Sequence, residues 1–260
     1  MSERRYRYSG IPPDGDPMHY ELPREFSWLA SHSIETERRA ALDTLALTKG
    51  VVIAPDYVTI PGGRTIPQWS PTISSKVCGF RPASDCTGNF TSSKFQPNNN
   101  CYNYACNIAT NTFAQPGRKH GLIVKRPDGP KGPEVIKAAM SDGLKLIGGR
   151  ETTLRMLPWS ECDVGHIVAL FISDAYVSHG WHGDYHWVRC DDPDSPSWSH
   201  KNGPDTATPF DFAGVPISDP SRANWTVNLG PRSNKSRSEV EVVYEFEAWM
   251  FVRYGHVDII

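Results

Sequence analysis

The sequence predicts an α+β domain, on three observations. Segments with helical spacing come first, up to the break at Asp142 and Gly143, and most segments rich in β-branched and aromatic residues follow, from 165 onward. The third is composition: 21 Gly and 22 Pro, about a sixth of the chain, call for long irregular connections between those elements.

Each element follows from local signals. Residues 1–25 are rich in Pro, Arg, Tyr and Asp without a period and read as an arm. Over 33–49, Ile34, Ala41, Leu42, Leu45 and Ala46 recur at helical spacing before Gly50, which predicts a helix with a glycine stop. The stretch 51–60 has strand composition but is interrupted by Pro55. Pro, Gly, Ser, Thr and Asn then crowd 61–100, which reads as loops with short strands. After three asparagines, 101–111 holds neither Gly nor Pro, so a helix can start at Cys101 with Asn100 as its cap. Pro133 and Glu134 open a second helix with Val135, Ile136, Ala139 and Met140 on one side and a break at Asp142 and Gly143. Strands are predicted at 165–172, 184–190, 196–201 and 240–252. The organisation expected is an N-terminal helical and loop-rich region, 1–60, packed on one compact unit, 61–260.

Charge and length exclude several classes. With 27 Lys+Arg against 29 Asp+Glu and a net charge of −2, the chain is not an expected nucleic-acid binder. The longest apolar run, 167–172, is far short of the roughly 20 residues that span a bilayer, and the first thirty residues carry charges but no apolar stretch of a secretory signal. The expectation is a soluble protein, cytoplasmic or delivered by a non-classical route. Six cysteines form no CxxC pair, although Cys78 and Cys86 could close a small loop in an oxidising compartment.

The candidate chemistry starts at Cys101. At a helix start, free backbone N–H groups and the positive end of the macrodipole favour a thiolate, while Cys106 is rotated about 140° away. A nucleophilic thiol needs a base, and on strand 184–190 the residues Asp184, His186, Val188 and Cys190 share one face. A hairpin centred on Pro193 places His186 opposite His200 and Val188 opposite Trp198, so that one imidazole can orient the other.

Cysteine at a helix start, a strand histidine downstream and a polar orienter on the next strand resembles the plan of papain-like cysteine hydrolases, in particular the NlpC-type amidases. The segments NNNCYNYACN, DYHWVR and WSHKNG also resemble signature blocks of bacterial and phage-associated proteins. The nucleophile block departs from the Asp-Cys-Ser-Gly of NlpC-type enzymes, reading Asn100-Cys101-Tyr102-Asn103. The resemblance implies a papain-like core, with a catalytic helix packed on an antiparallel sheet. It further implies cleavage of a peptide or amide bond through a Cys101–His186–His200 triad and a thioacyl intermediate, without a cofactor. Gln96 and Asn100 are candidate oxyanion donors, Asp211 a candidate orienter in place of His200, and His166, in a Gly-His-Ile-Val string, an alternative base.

Two other readings stay open. His179, His182 and His186 have a spacing that could hold zinc for a hydrolase. Trp159, Trp181, Trp187, Trp198 and Trp225, if exposed, could stack on sugars in a non-catalytic carbohydrate-binding pseudoenzyme. The long segment 201–220 after His200 belongs to a site or wraps the surface.

Overall fold

The computed structural model describes residues 55–74, 90, 96–122, 124, 129–179, 181–233 and 236–260. The expected arm, the expected helix over 33–49 and the Cys78–Cys86 pairing lie outside the described residues.

The continuous apolar string of 165–172 becomes the centre of the molecule. β6 (Gly165–Ser173) is buried along its whole length, as a strand must be when both of its faces are covered. It pairs antiparallel with β7 (Asp184–Asp192) on one side and β12 (Glu245–Arg253) on the other. β5 (Lys145–Gly149), β8 (Ser197–Lys201) and β9 (Ala207–Thr208) complete a six-stranded sheet in the order β5-β12-β6-β7-β8-β9, antiparallel throughout. Three two-stranded pairs surround it: β1 (Asp56–Thr59) with β2 (Thr65–Gln68), β3 (Ile73–Ser74) with β4 (Ile108–Ala109), and β10 (Thr226–Ser233) with β11 (Ser236–Val243).

Alternation along the strands sorts two cores. On one face Ile167, Ala169, Phe171, Val188, Trp198 and Trp249 pack with Trp225, Val227, Val242 and Tyr244, so the β10–β11 pair closes this side. On the other face Val168, Leu170, Tyr185, Trp187 and Met250 meet the helices α1 (Cys101–Cys106) and α2 (Gly132–Ser141) through Cys101, Tyr102, Ala105, Val135 and Ala139.

The α+β expectation with a papain-like core is overturned: the described fold is mostly β, closer to a β-sandwich, with α1 and α2 spanning only 6 and 10 residues. Three local outcomes produce the difference. Asn107 adopts a left-handed conformation, φ 55°, and ends α1 after Cys106, so that 108–109 becomes strand instead of helix. The segment 240–252 is not one strand, because Tyr244 separates β11 from β12 and the two belong to different sheets. β5 and β10, neither predicted, add to the strand content. The second helix matches its signals: Pro133 sits in its first turn and the chain turns at Gly143, φ +102°, where a Cβ would collide with the His256 carbonyl.

Candidate functional site

The asparagine block in front of Cys101 builds a polar lock. Asn100 Oδ1 accepts from the Tyr102 and Asn103 backbone N–H groups at 3.0 and 3.1 Å, and Asn103 Oδ1 accepts from the Asn100 N–H at 3.2 Å, a reciprocal capping box. Asn100 Nδ2 donates to the Ala114 carbonyl at 2.7 Å. Asn103 also accepts from Ala114 N–H at 2.9 Å and donates to the Ile108 carbonyl and Thr110 Oγ1 at 2.9 and 2.8 Å. Asn99 Nδ2 donates to Asn111 Oδ1, and Asn99 Oδ1 accepts from the Asn111 N–H. Asn100 is therefore a helix cap, and its amide is engaged by backbone instead of waiting for an oxyanion.

The tyrosines of the same block tie α1 outward. Tyr102 donates its hydroxyl to Asp142 Oδ2, at the end of α2, at 2.8 Å. Tyr104 pairs with Ser199 Oγ at 2.6 Å and accepts from Arg189 Nη2 at 2.8 Å. Arg189 is buried and donates further to Asp191 Oδ1 at 2.9 Å and Asn107 Oδ1 at 2.8 Å. Lys201, also buried, donates to the carbonyls of Gln96, Asn99 and Gly203 at 2.7, 2.5 and 2.8 Å, using all three ammonium protons. Sequence reasoning missed Tyr104, Asn103, Arg189 and Lys201. The spacing Asn100–Asn103, N-cap to third helical residue, is the one signal that could have found part of this lock.

Cys101 does not carry the environment of a nucleophile. Its Sγ lies 4.0 Å from the Tyr185 carbonyl, and burial pushes the thiol up to about 12, outweighing backbone hydrogen bonds and the Lys201 ammonium. Of the N–H groups at the helix start, those of Tyr102 and Asn103 are bonded to Asn100 Oδ1. A single-turn-and-a-half helix also has little dipole to offer.

His186 points to the other side of the sheet. Its neighbours on β7, Tyr185 and Trp187, lie in the core that contains Cys101, whereas the His186 ring packs against Phe212, Trp225 and Tyr244 at 5.7, 5.7 and 5.9 Å. The expected Cys101–His186 dyad is thus not assembled. His186 and His200 do meet, Nε2 to Nδ1, at 2.9 Å. His200 Nε2 is 2.8 Å from the Phe210 carbonyl, which can only accept, so His200 Nδ1 is the acceptor and His186 Nε2 the donor. Burial pushes His200 down to about 4, and burial together with His200 pushes His186 well down.

The register differs from the expected one by two residues. Val188, not His186, opposes His200, and Cys190, not Val188, opposes Trp198. Asp192 Oδ1 accepts from the Asp194 and Ser195 N–H groups, and the turn occupies 193–196 after an irregularity between Cys190 and Asp192. A two-residue slip preserves the face, so the imidazoles still touch along the diagonal.

The remaining candidates are also placed elsewhere. His166 faces α1, but its Nε2 lies 2.6 Å from the Ala105 carbonyl, one turn past Cys101, and burial pushes it down to about 3. Gln96 donates to the Pro204 carbonyl at 3.3 Å. Asp211 accepts from the backbone N–H groups of Ala213, Val215 and Asn224, each at 2.9 Å, so it folds its own loop while the Phe210 carbonyl holds His200. Among the described residues no three His, Cys, Asp or Glu side chains gather as a metal site, and the His179 side chain lies outside them. Trp181, Trp187, Trp198 and Trp225 are core residues, and Trp159 is half-buried with its indole N–H on the Leu154 carbonyl.

A groove of about 730 Å³ opens beside His200, walled by Asn202, Asp205, Thr206, Thr208, Phe210 and Phe212. No helix among the described residues is long and apolar enough to cross a membrane.

Fold and site together define a sheet protein whose asparagine, tyrosine and arginine residues form a buried lock around an unactivated cysteine. The chain is 36% identical over 162 residues to Insoluble matrix shell protein 1 of Ruditapes philippinarum, a match that spans 62% of this chain and 89% of the other. The chain belongs to the family of that protein. No family model matches it, and no solved structure matches it.

Proposed function

We propose that this chain is a non-catalytic structural module of a matrix, a reading supported by its relative being named Insoluble matrix shell protein 1. The observation that carries the reading is the separation of Cys101 from His186 by the central sheet, with the thiol buried and pushed up to about 12. Thiol hydrolysis needs a thiolate within hydrogen-bond reach of its base. The polar residues of the NNNCYNYACN block are instead spent on backbone and on one another, which supports a stability role for the motif. The reading places the chain in a matrix outside the cell.

The competing reading is the cysteine peptidase or amidase that the motif order resembles. Alkylation by iodoacetamide, followed by mass spectrometry from pH 4 to 9, separates the two. The module reading expects Cys101 to react slowly at every pH and His186→Ala to leave its rate below pH 7 unchanged. Fast reaction of Cys101 alone at about pH 5–6, lost in His186→Ala, would establish a thiolate–imidazolium pair and overturn it.

A further inference from the structure

The chain carries three Asn-x-Ser/Thr strings without a central proline: Asn89-Phe90-Thr91, Asn224-Trp225-Thr226 and Asn234-Lys235-Ser236. Asn89 and Asn234 lie outside the described residues, but the middle string is placed in full and leads into β10. Trp225 anchors it, buried against Phe171 and Phe212 with ring centroids at 4.8 and 5.2 Å. Sides alternate from there: Trp225 and Val227 enter the core, while Asn224 and Asn228 are exposed and Thr226 is half-buried between them. The backbone of Asn224 is fixed on both sides, its N–H donating to Asp211 Oδ2 at 2.9 Å and its carbonyl accepting from the Phe212 N–H at 3.0 Å. Its side chain is held through one atom. Oδ1 accepts from the Thr226 N–H at 2.8 Å, and because that partner can only donate, the two ends of the amide are told apart. The other end, Nδ2, has no hydrogen-bond partner among the described residues.

We infer that Asn224 is an acceptor for an N-linked glycan. The inference rests on the matrix-module reading and deepens it, since a chain bound for a matrix outside the cell can pass the compartment where such glycans are added. The co-reactant is an oligosaccharide carried on a lipid diphosphate. Asn224 Nδ2 forms a bond to the anomeric carbon of the first sugar, and the bond from that carbon to the diphosphate oxygen breaks. The lipid diphosphate leaves, one Nδ2 proton passes to a base of the transferase, and nothing is oxidised or reduced. The product is still an amide, so Oδ1 keeps its bond to the Thr226 N–H, and the proton lost from Nδ2 held nothing in place. The folded chain therefore accommodates the glycan without giving up a hydrogen bond. The sugar leaves from the side of β10 opposite to Trp225 and Val227, away from the core they fill.

The test expresses the full chain in insect cells behind a cleavable secretion leader and collects it from medium and cells alike. Peptide N-glycosidase in heavy-oxygen water then converts each glycosylated asparagine to a labelled aspartate, which mass spectrometry locates. Label at Asn224 in the majority of the protein is expected, lost in Thr226→Ala and kept in Thr226→Ser. Thr226→Ala destroys the acceptor string yet leaves the backbone N–H that Asn224 Oδ1 uses, so its tryptophan fluorescence should match that of the deglycosylated wild type. Asn224→Asp, which keeps an oxygen for the same N–H, should migrate one glycan lighter than the wild type. Asn224 unlabelled in the wild type, or labelled equally in Thr226→Ala, would overturn the glycan assignment, whatever Asn89 and Asn234 do. Fast alkylation of Cys101 alone at about pH 5–6 in the same preparation would instead overturn the matrix-module reading, so the two failures are distinguishable.

Discussion

Cys101 and His186 lie on opposite faces of the sheet that holds β7: the thiol rests against the Tyr185 carbonyl, and the imidazole stacks among Phe212, Trp225 and Tyr244. Neither side chain can reach the other without breaking β7 out of the sheet. The consequences of that arrangement can be measured.

Removing the cap should cost stability in proportion to the bonds lost. Asn100→Ala is expected to lower stability by about 1–2 kcal/mol, the range of N-cap losses. Asn103→Ala should cost more, about 3 kcal/mol, because it strands the buried Ala114 and Asn100 N–H groups. Urea denaturation followed by tryptophan fluorescence gives both values. Equal and negligible effects would show that the asparagine block is not structural.

The Arg189 guanidinium should be the most sensitive charged group. Arg189→Ala removes one donor from the buried Asp191 carboxylate and one from Asn107, and truncating one side of such a pair costs about 3–5 kcal/mol. Arg189→Ala combined with Asp191→Ala should be less damaging than the sum of the two, and a double-mutant cycle in denaturant reads the coupling. Strict additivity would refute a direct pair.

Two buried groups give stability opposite pH slopes. Burial raises Asp184 from 3.8 to about 8, so the fold favours its neutral form; its contribution is full below about pH 4 and is withdrawn as pH rises through 8. His200 is lowered from 6.5 to about 4, so its contribution is full above pH 6.5 and is withdrawn as pH falls through 4. Asp142, raised to about 6, has largely ionised by pH 6.5. Between pH 6.5 and 8 the thermal midpoint of the wild type should therefore decline, and Asp184→Asn, which keeps an acceptor for Tyr244, should flatten it. An identical decline in the variant would remove Asp184 as its cause.

Cys101 should behave as a small apolar residue. Cys101→Ala is expected to cost about 1–2 kcal/mol through lost packing. In the wild type its alkylation should accelerate with urea in step with unfolding. A reaction rate independent of urea would mean that the thiol is accessible in the native state.

Much of the local structure was legible. Asn100 marks the start of α1, Pro133 the first turn of α2, and the composition of 165–172, 184–190 and 196–201 marks β6, β7 and β8 within one or two residues. The end of α1 was not, because asparagine adopts the left-handed region readily but 101–111 offers Asn103, Asn107 and Asn111, and local propensity does not choose among them; Asn107 is tied to Arg189, 82 residues away. The split of 240–252 was equally hidden, since Tyr244 fits a strand and its position between the two sheets goes with long-range bonds of its hydroxyl to Asp184 and its N–H to the Trp225 carbonyl.

The sequence by itself determined where the chain turns and which residues share a strand face, His186 and His200 among them, because backbone periodicity and cap chemistry are local. Only the tertiary structure decided which face looks at Cys101. Every residue of β7 but the last is buried, so both faces are covered and alternation cannot tell one from the other. The packing of Tyr102 on Trp187 and the closure of the β10–β11 pair over Trp225 settle that choice, and both depend on residues far apart in the chain.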